Sequence, residues 1–143
     1  MKYQVLFFLF PMIFACNQPV KDMSNDSTDP KEIYHDSLDA VAAAPASHEV
    51  LLENEKVRVL RVTIQPGEKE PMHHHQWESV MYVEQPSRIR YYDMNDVMRF
   101  ESPEGQDFGD NYTPSPDWMG PEGVHAVENI DTIPFVALRV EIK

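Results

Sequence analysis

Beyond about residue 49, apolar and polar positions alternate over short stretches broken by turn residues, a pattern that predicts strands. Lys56 to Ile64 (KVRVLRVTI) is rich in β-branched residues and ends at Pro66-Gly67. Trp77 to Val83, Arg88 to Tyr92 and Asp96 to Phe100 follow, with Pro86 and Asn95 between them. Residues 101–116 carry three Pro and two Gly and predict a loop, with a short ribbon at Phe108–Tyr112. Gly120-Pro121-Glu122-Gly123 is a turn, and His125 to Asn129 again has strand character. From Phe135 to Ile142, residues Val136, Leu138, Val140 and Ile142 share one face, with Arg139 and Glu141 on the other. Strands at this spacing, with no second helix, predict a small sandwich or barrel.

The first third reads differently. Tyr3 to Ala15 is almost wholly apolar, and residues 17–30 are polar without periodicity. Asp29 and Pro30 have the form of a helix start, with Glu32 in the first turn. Tyr34, Leu38, Val41 and Ala42 then fall on one helical face until Pro45. The division expected is a leader at 1–15, a tether with a short helix at 16–47, and a β domain at 48–143.

Charge and cysteine usage narrow the function. The chain has 143 residues, enough for one domain, and a net charge of −12. Its Arg pairs (Arg58 and Arg61, Arg88 and Arg90) alternate with apolar residues rather than forming a patch, which argues against nucleic-acid binding. One cysteine cannot make a disulfide within a copy. The apolar leader, thirteen residues long, would span about 20 Å as a helix, too short for a ~30 Å hydrocarbon core. With Lys2 before it and Ala15 at its end, it predicts a secretory signal. Ile13-Phe14-Ala15-Cys16 resembles the lipobox of bacterial lipoproteins, although Phe14 is bulkier than usual. The resemblance implies lipidation at Cys16 and a membrane held through acyl chains. Asn17 after the cysteine then favours the outer membrane of the cell envelope under the enteric sorting rule. The alternative is an ordinary signal peptide with an incidental cysteine.

The histidines carry the candidate chemistry. On a strand, His73 and His75 face one way and His74 the other, outward with Tyr82, while His125 begins a second β stretch. Imidazoles converging from neighbouring strands suit a borderline divalent metal. No phosphate-cradling glycine loop and no His-Glu-x-x-His spacing competes with them.

Gly67-x5-His73-x-His75 is similar to the opening of the first cupin motif. Pro121-x-Gly123-x-His125-x3-Asn129 resembles the second, one residue short between Gly123 and His125. The resemblance covers roughly residues 49–142. It implies an all-β double-stranded β-helix, a jelly-roll barrel, with metal ligands His73, His75 and His125. It also implies a homodimer. The family's usual fourth ligand, a Glu, is Ser79 here, and only a bulge could turn the neighbouring Glu78 inward as an alternative ligand. Three neutral imidazoles leave the +2 charge unmatched, which favours an anionic ligand and suits Fe, Ni, Zn or Cu. By parity, Trp77, Ser79 and Met81 join the side of His73 and His75, and Asn129 that of His125. Arg61 and Arg139 sit inside strands and are expected to point outward into solvent, the alternative being that they bind an anionic substrate. Two readings follow: a metal-dependent, oxygenase-type enzyme of a small organic substrate, or a non-catalytic metal- or ligand-binding cupin acting as sensor, scavenger or structural partner.

Overall fold

The computed structural model describes residues 34–109 and 112–143. The apolar leader, Cys16, the polar stretch 17–30 and the helix start at Asp29 lie outside the described residues. From Tyr34 the chain makes two separate turns rather than one helix. Asp36–Leu38 is a 3-10 turn, and α1 (Ala40–Ala43) a single helical turn. Asp39 separates them: its extended backbone ends the first turn, and its side chain accepts from Val41 N to start the second. Ala40 and Ala44 are the fully buried positions, in place of the Leu38 and Ala42 that a continuous helix would bury.

Two antiparallel sheets follow. One has the order β1 (His48–Glu53), β2 (Val57–Ile64), β9 (Phe135–Ile142), β4 (Ser79–Gln85), β7 (Pro116–Met119). The other has the order β3 (His73–His75), β8 (Glu122–Asn129), β5 (Ile89–Asp93), β6 (Met98–Glu101). This is an all-β jelly-roll architecture. β7 falls at the end of the predicted loop, and no ribbon forms over Phe108–Tyr112 among the described residues.

The inward positions of β2 and β9 set the character of the barrel interior. Their register pairs Ile64 with Phe135, Val62 with Ala137, Leu60 with Arg139 and Arg58 with Glu141. One end is therefore apolar, with Leu60, Val62, Ile64 and Ala137 buried and Met81, Val83 and Val127 packed against them. The other end is charged. Arg139 and Glu141 point into the barrel, against the expectation of an outward, solvated Arg139. The apolar face of β9 lies outside, where Leu52, Val59, Val140, Val80 and Trp118 form one row across the five strands. Lateral contact along such a row explains how an apolar face can be the outer one.

Candidate metal centre

β3 consists of three histidines, all buried. Its ladder with β8 sets His73 opposite His125 and His75 opposite Glu122, so two steps on one strand match three on the other. That irregularity brings Glu122 and His125 to the same cavity. The rings of His73 and His75 are 5.2 Å apart between centroids, His73 and His125 4.5 Å, and His75 and His125 5.8 Å. His48, the first residue of β1, adds a fourth ring 4.7 Å from His73 and 5.3 Å from His75. One ligating atom from each of His48, His73 and His75 lies within 4.8 Å of the other two. The same holds for His75, Glu122 and His125.

The second nitrogen of each ring is already engaged. His73 Nδ1 lies 2.9 Å from Pro71 O, His125 Nδ1 2.8 Å from Gly123 O, and His48 Nδ1 3.2 Å from Ala44 O. A carbonyl oxygen can only accept, so in each ring Nδ1 carries the proton and donates it. His75 Nδ1 donates to Glu141 Oε1 at 2.6 Å. Nε2 is thereby left as the lone-pair nitrogen of all four, the tautomer that a metal requires. Burial lowers the pKa of His48 to about 4 and of His73 to about 3, with neighbouring cationic groups acting in the same sense. Burial likewise lowers His75 and His125. The four rings are neutral near pH 7 and able to bind a cation.

A buried chain of charges stands behind them. Arg58 donates from Nη1 and Nη2 to both carboxylate oxygens of Asp39, at 2.8 and 2.7 Å, and from Nε to Glu141 Oε2 at 2.6 Å. Burial opposes the charge on Arg58, yet the two carboxylates outweigh it and raise its pKa. Arg139 donates from Nη1 to Glu122, and its Nε is 3.8 Å from Glu141 Oε1. Nε and Nη2 of Arg139 are enclosed and make no hydrogen bond. Tyr91 stacks on His125, 5.0 Å between centroids and 12° from parallel. The four histidines, Tyr91, Glu122 and Arg139 line a cavity of about 230 Å³ between the sheets, with Arg58, Asp39 and Glu141 behind it, space for roughly seven waters or a small organic molecule.

Met81 lines the cavity. Trp77 is instead covered by Arg58 and Lys143, whose cationic groups lie 4.7 and 5.0 Å from its ring centroid, because residues 76–78 break the strand and with it the parity. Ser79 is fully buried beside Glu141 in the β4–β9 register, and its Oγ has no partner. Glu78 is exposed, so no bulge turns it inward as a ligand. Asn129 is a clamp: its Nδ2 donates to Ile64 O and Ile133 O, and its Oδ1 accepts from Asp131 N. His74 faces away from the cavity as parity requires, but it is buried under the N-terminal segment rather than solvated. Its Nε2 donates to His35 O, and Tyr34 packs edge-on against its ring. Sequence parity missed His48, Glu122 and Arg139. A histidine opening the first strand was the available signal for His48; the other two depend on a bulge and on the inverted face of β9.

Solved structures share this architecture. A cupin domain from Bordetella pertussis superposes with a TM-score of 0.51 at 21% identity, over 67% of this chain and 91% of that one. A cupin-family protein with a double-stranded β-helix from Methanocaldococcus jannaschii gives 0.46 at 14% identity, over 66% and 77%. A polyketide cyclase from Streptomyces resistomycificus gives 0.42 at 15%, over 66% and 63%. No protein-family model matches the chain, and no curated protein does. The fold is the cupin-type double-stranded β-helix, and fold alone does not choose an activity.

Proposed function

We propose that the barrel holds one divalent transition metal on His73, His75 and His125 and presents it to a small anionic molecule. The observation that carries this reading is the set of Nδ1 hydrogen bonds, which leaves Nε2 free on each of these buried, neutral rings. Nitrogen donors suit Fe, Ni, Cu or Zn rather than Mg or Ca. When bound, such an ion would supply Lewis acidity, or with iron the redox chemistry of an oxygenase.

Arg139 supports the anionic ligand. Its Nε–Nη2 edge is the side of a guanidinium that grips a carboxylate with two parallel bonds, and that edge makes no hydrogen bond, Glu141 Oε1 standing 3.8 Å from Nε. Arg58 and Arg139 face the carboxylates of Asp39, Glu141 and Glu122. With Glu70 protonated, a divalent ion would leave this set with one positive charge to be matched by a monoanion.

The test uses Co(II) as a spectroscopic probe in the full chain, solubilised in detergent. Acetate and oxalate are expected to shift its visible bands, with affinity at least about tenfold weaker in Arg139→Gln. Bands that ignore both anions would contradict the ligand assignment. Oxygen uptake by the Fe(II)-loaded chain with added carboxylates then separates a metalloenzyme from a non-catalytic binding protein.

The lipobox resemblance supports a lipoprotein of the cell envelope, anchored at Cys16 in the outer membrane. Labelled palmitate is expected in the wild-type chain and absent from Cys16→Ser. Equal label in both would refute the anchor.

A further inference from the structure

We infer that His48 supplies the fourth metal ligand, so that the centre is built from four imidazoles and no carboxylate. This assignment rests on the metal reading above and adds a residue that lies outside both sequence motifs. The position at which a carboxylate is expected holds Ser79, and Glu78 is exposed. Among the described residues, two groups lie close enough to these histidines to complete the shell: His48 and Glu122.

The local bonding decides between them. Glu122 is already committed to Arg139 Nη1 and is only partly buried. His48 is 4% exposed, and its ring packs against both His73 and His75. Its ligating atom belongs with theirs in one set within 4.8 Å. Its Nδ1 is turned back to Ala44 O and Ser47 Oγ, each at 3.2 Å, so Nε2 is the nitrogen left for the cavity. Ser47 is itself fixed, its Oγ donating to Glu70 Oε1 at 2.5 Å. The backbone adds to this: His48 N donates to Ala44 O, and Ser47 O accepts from Thr63 N on β2. A ring held this firmly, in the tautomer that a metal needs, is a preorganised ligand.

The consequence is chemical. Four neutral nitrogen donors discriminate against Mg and Ca more strongly than a site with a carboxylate, and they leave the charge of the ion to be met by the entering ligand.

The test counts nitrogens. The full chain is loaded with one equivalent of Cu(II), and spin-echo modulation from the remote imidazole nitrogens gives the number of coordinated histidines. Four are expected in the wild-type chain and in Glu122→Gln, and three in His48→Ala and His48→Gln. Cu(II) affinity is expected to fall at least about tenfold in both His48 variants. Three imidazoles in the wild-type chain would overturn the assignment while keeping the metal site. Failure of the wild-type chain to bind Cu(II), Zn(II) or Fe(II) would overturn the site itself. The wild-type count decides the matter even if a His48 variant fails to fold.

Discussion

Glu70 lies behind His48, with its Oε1 3.6 Å from His48 Nδ1, and the two residues give stability opposite dependences on pH. Burial raises the Glu70 pKa to about 7 from 4.5. As pH rises through that interval the unfolded chain releases its proton first, so the Glu70 contribution is complete below about 4.5 and lost by about 7. His48 and His73 behave in the reverse sense. Their pKa values, lowered to about 4 and about 3, lie below the ordinary 6.5, so their contribution is complete above 6.5 and falls away as pH drops. Stability of the metal-free chain is expected to rise from pH 4 to about 6.5, where the two histidines outweigh Glu70, and to level off above about 7. Glu70→Gln keeps an acceptor for Ser47 and removes the loss between about pH 4.5 and 7. It should raise stability at pH 8 by up to about 3 kcal/mol, at 1.36 kcal/mol per pKa unit, and change it little at pH 4. Thermal melts across pH 4 to 9 check both slopes; a Glu70→Gln gain confined to acid pH would contradict the assignment.

At the scale of the element, the segment before β1 is tied into the metal centre. Asp39, between the 3-10 turn and α1, grips Arg58, which holds Glu141, which orients His75. The carboxyl of Asp39 is held below its ordinary range: burial acts upward, and the Arg58 bonds outweigh it. Removing one member of a buried ion pair leaves the other uncompensated. Arg58 keeps Glu141 as a partner, so Asp39→Asn should cost about 2 kcal/mol of stability and weaken metal binding through His75. Urea unfolding and Zn(II) competition measure the two effects; a loss of stability with no change in Zn(II) affinity would show that the chain of bonds ends before the metal. The elements themselves were unevenly legible. β9 was readable to the residue, because Phe135–Ile142 alternates without a break. β7 was not, because Pro116 opens it inside a Pro-rich run. The bulge facing Glu122 to His75 leaves no mark in an alternation pattern, which assumes an unbroken period of two. The break at residues 76–78 displaced Trp77 for the same reason.

For the molecule as a whole, the barrel was legible because turn residues and short alternating runs recur along the chain, and the two His-containing motifs fall on adjacent strands β3 and β8. Which face of each strand turns inward was harder to read. In β9 the apolar side is outside and Arg139 and Glu141 are inside. Sequence periodicity gives two faces without saying which one the opposing sheet covers. The interior makes sense only as a gradient, apolar around Leu60 and Ile64 and charged around His75 and Glu141. Buried charge is costly unless paired, and the edge of Arg139 that makes no hydrogen bond, beside four histidines, marks the place where further pairing is left to something that binds. The group that all these features converge on is the metal. Its most direct test is metal content by plasma mass spectrometry of the untagged full chain, beside His73→Ala, His75→Ala and His125→Ala. About one transition-metal ion per wild-type chain is expected, and its loss in each variant. A wild-type chain that stays metal-free after anaerobic addition of Fe(II), Zn(II) or Ni(II) would contradict the metal assignment.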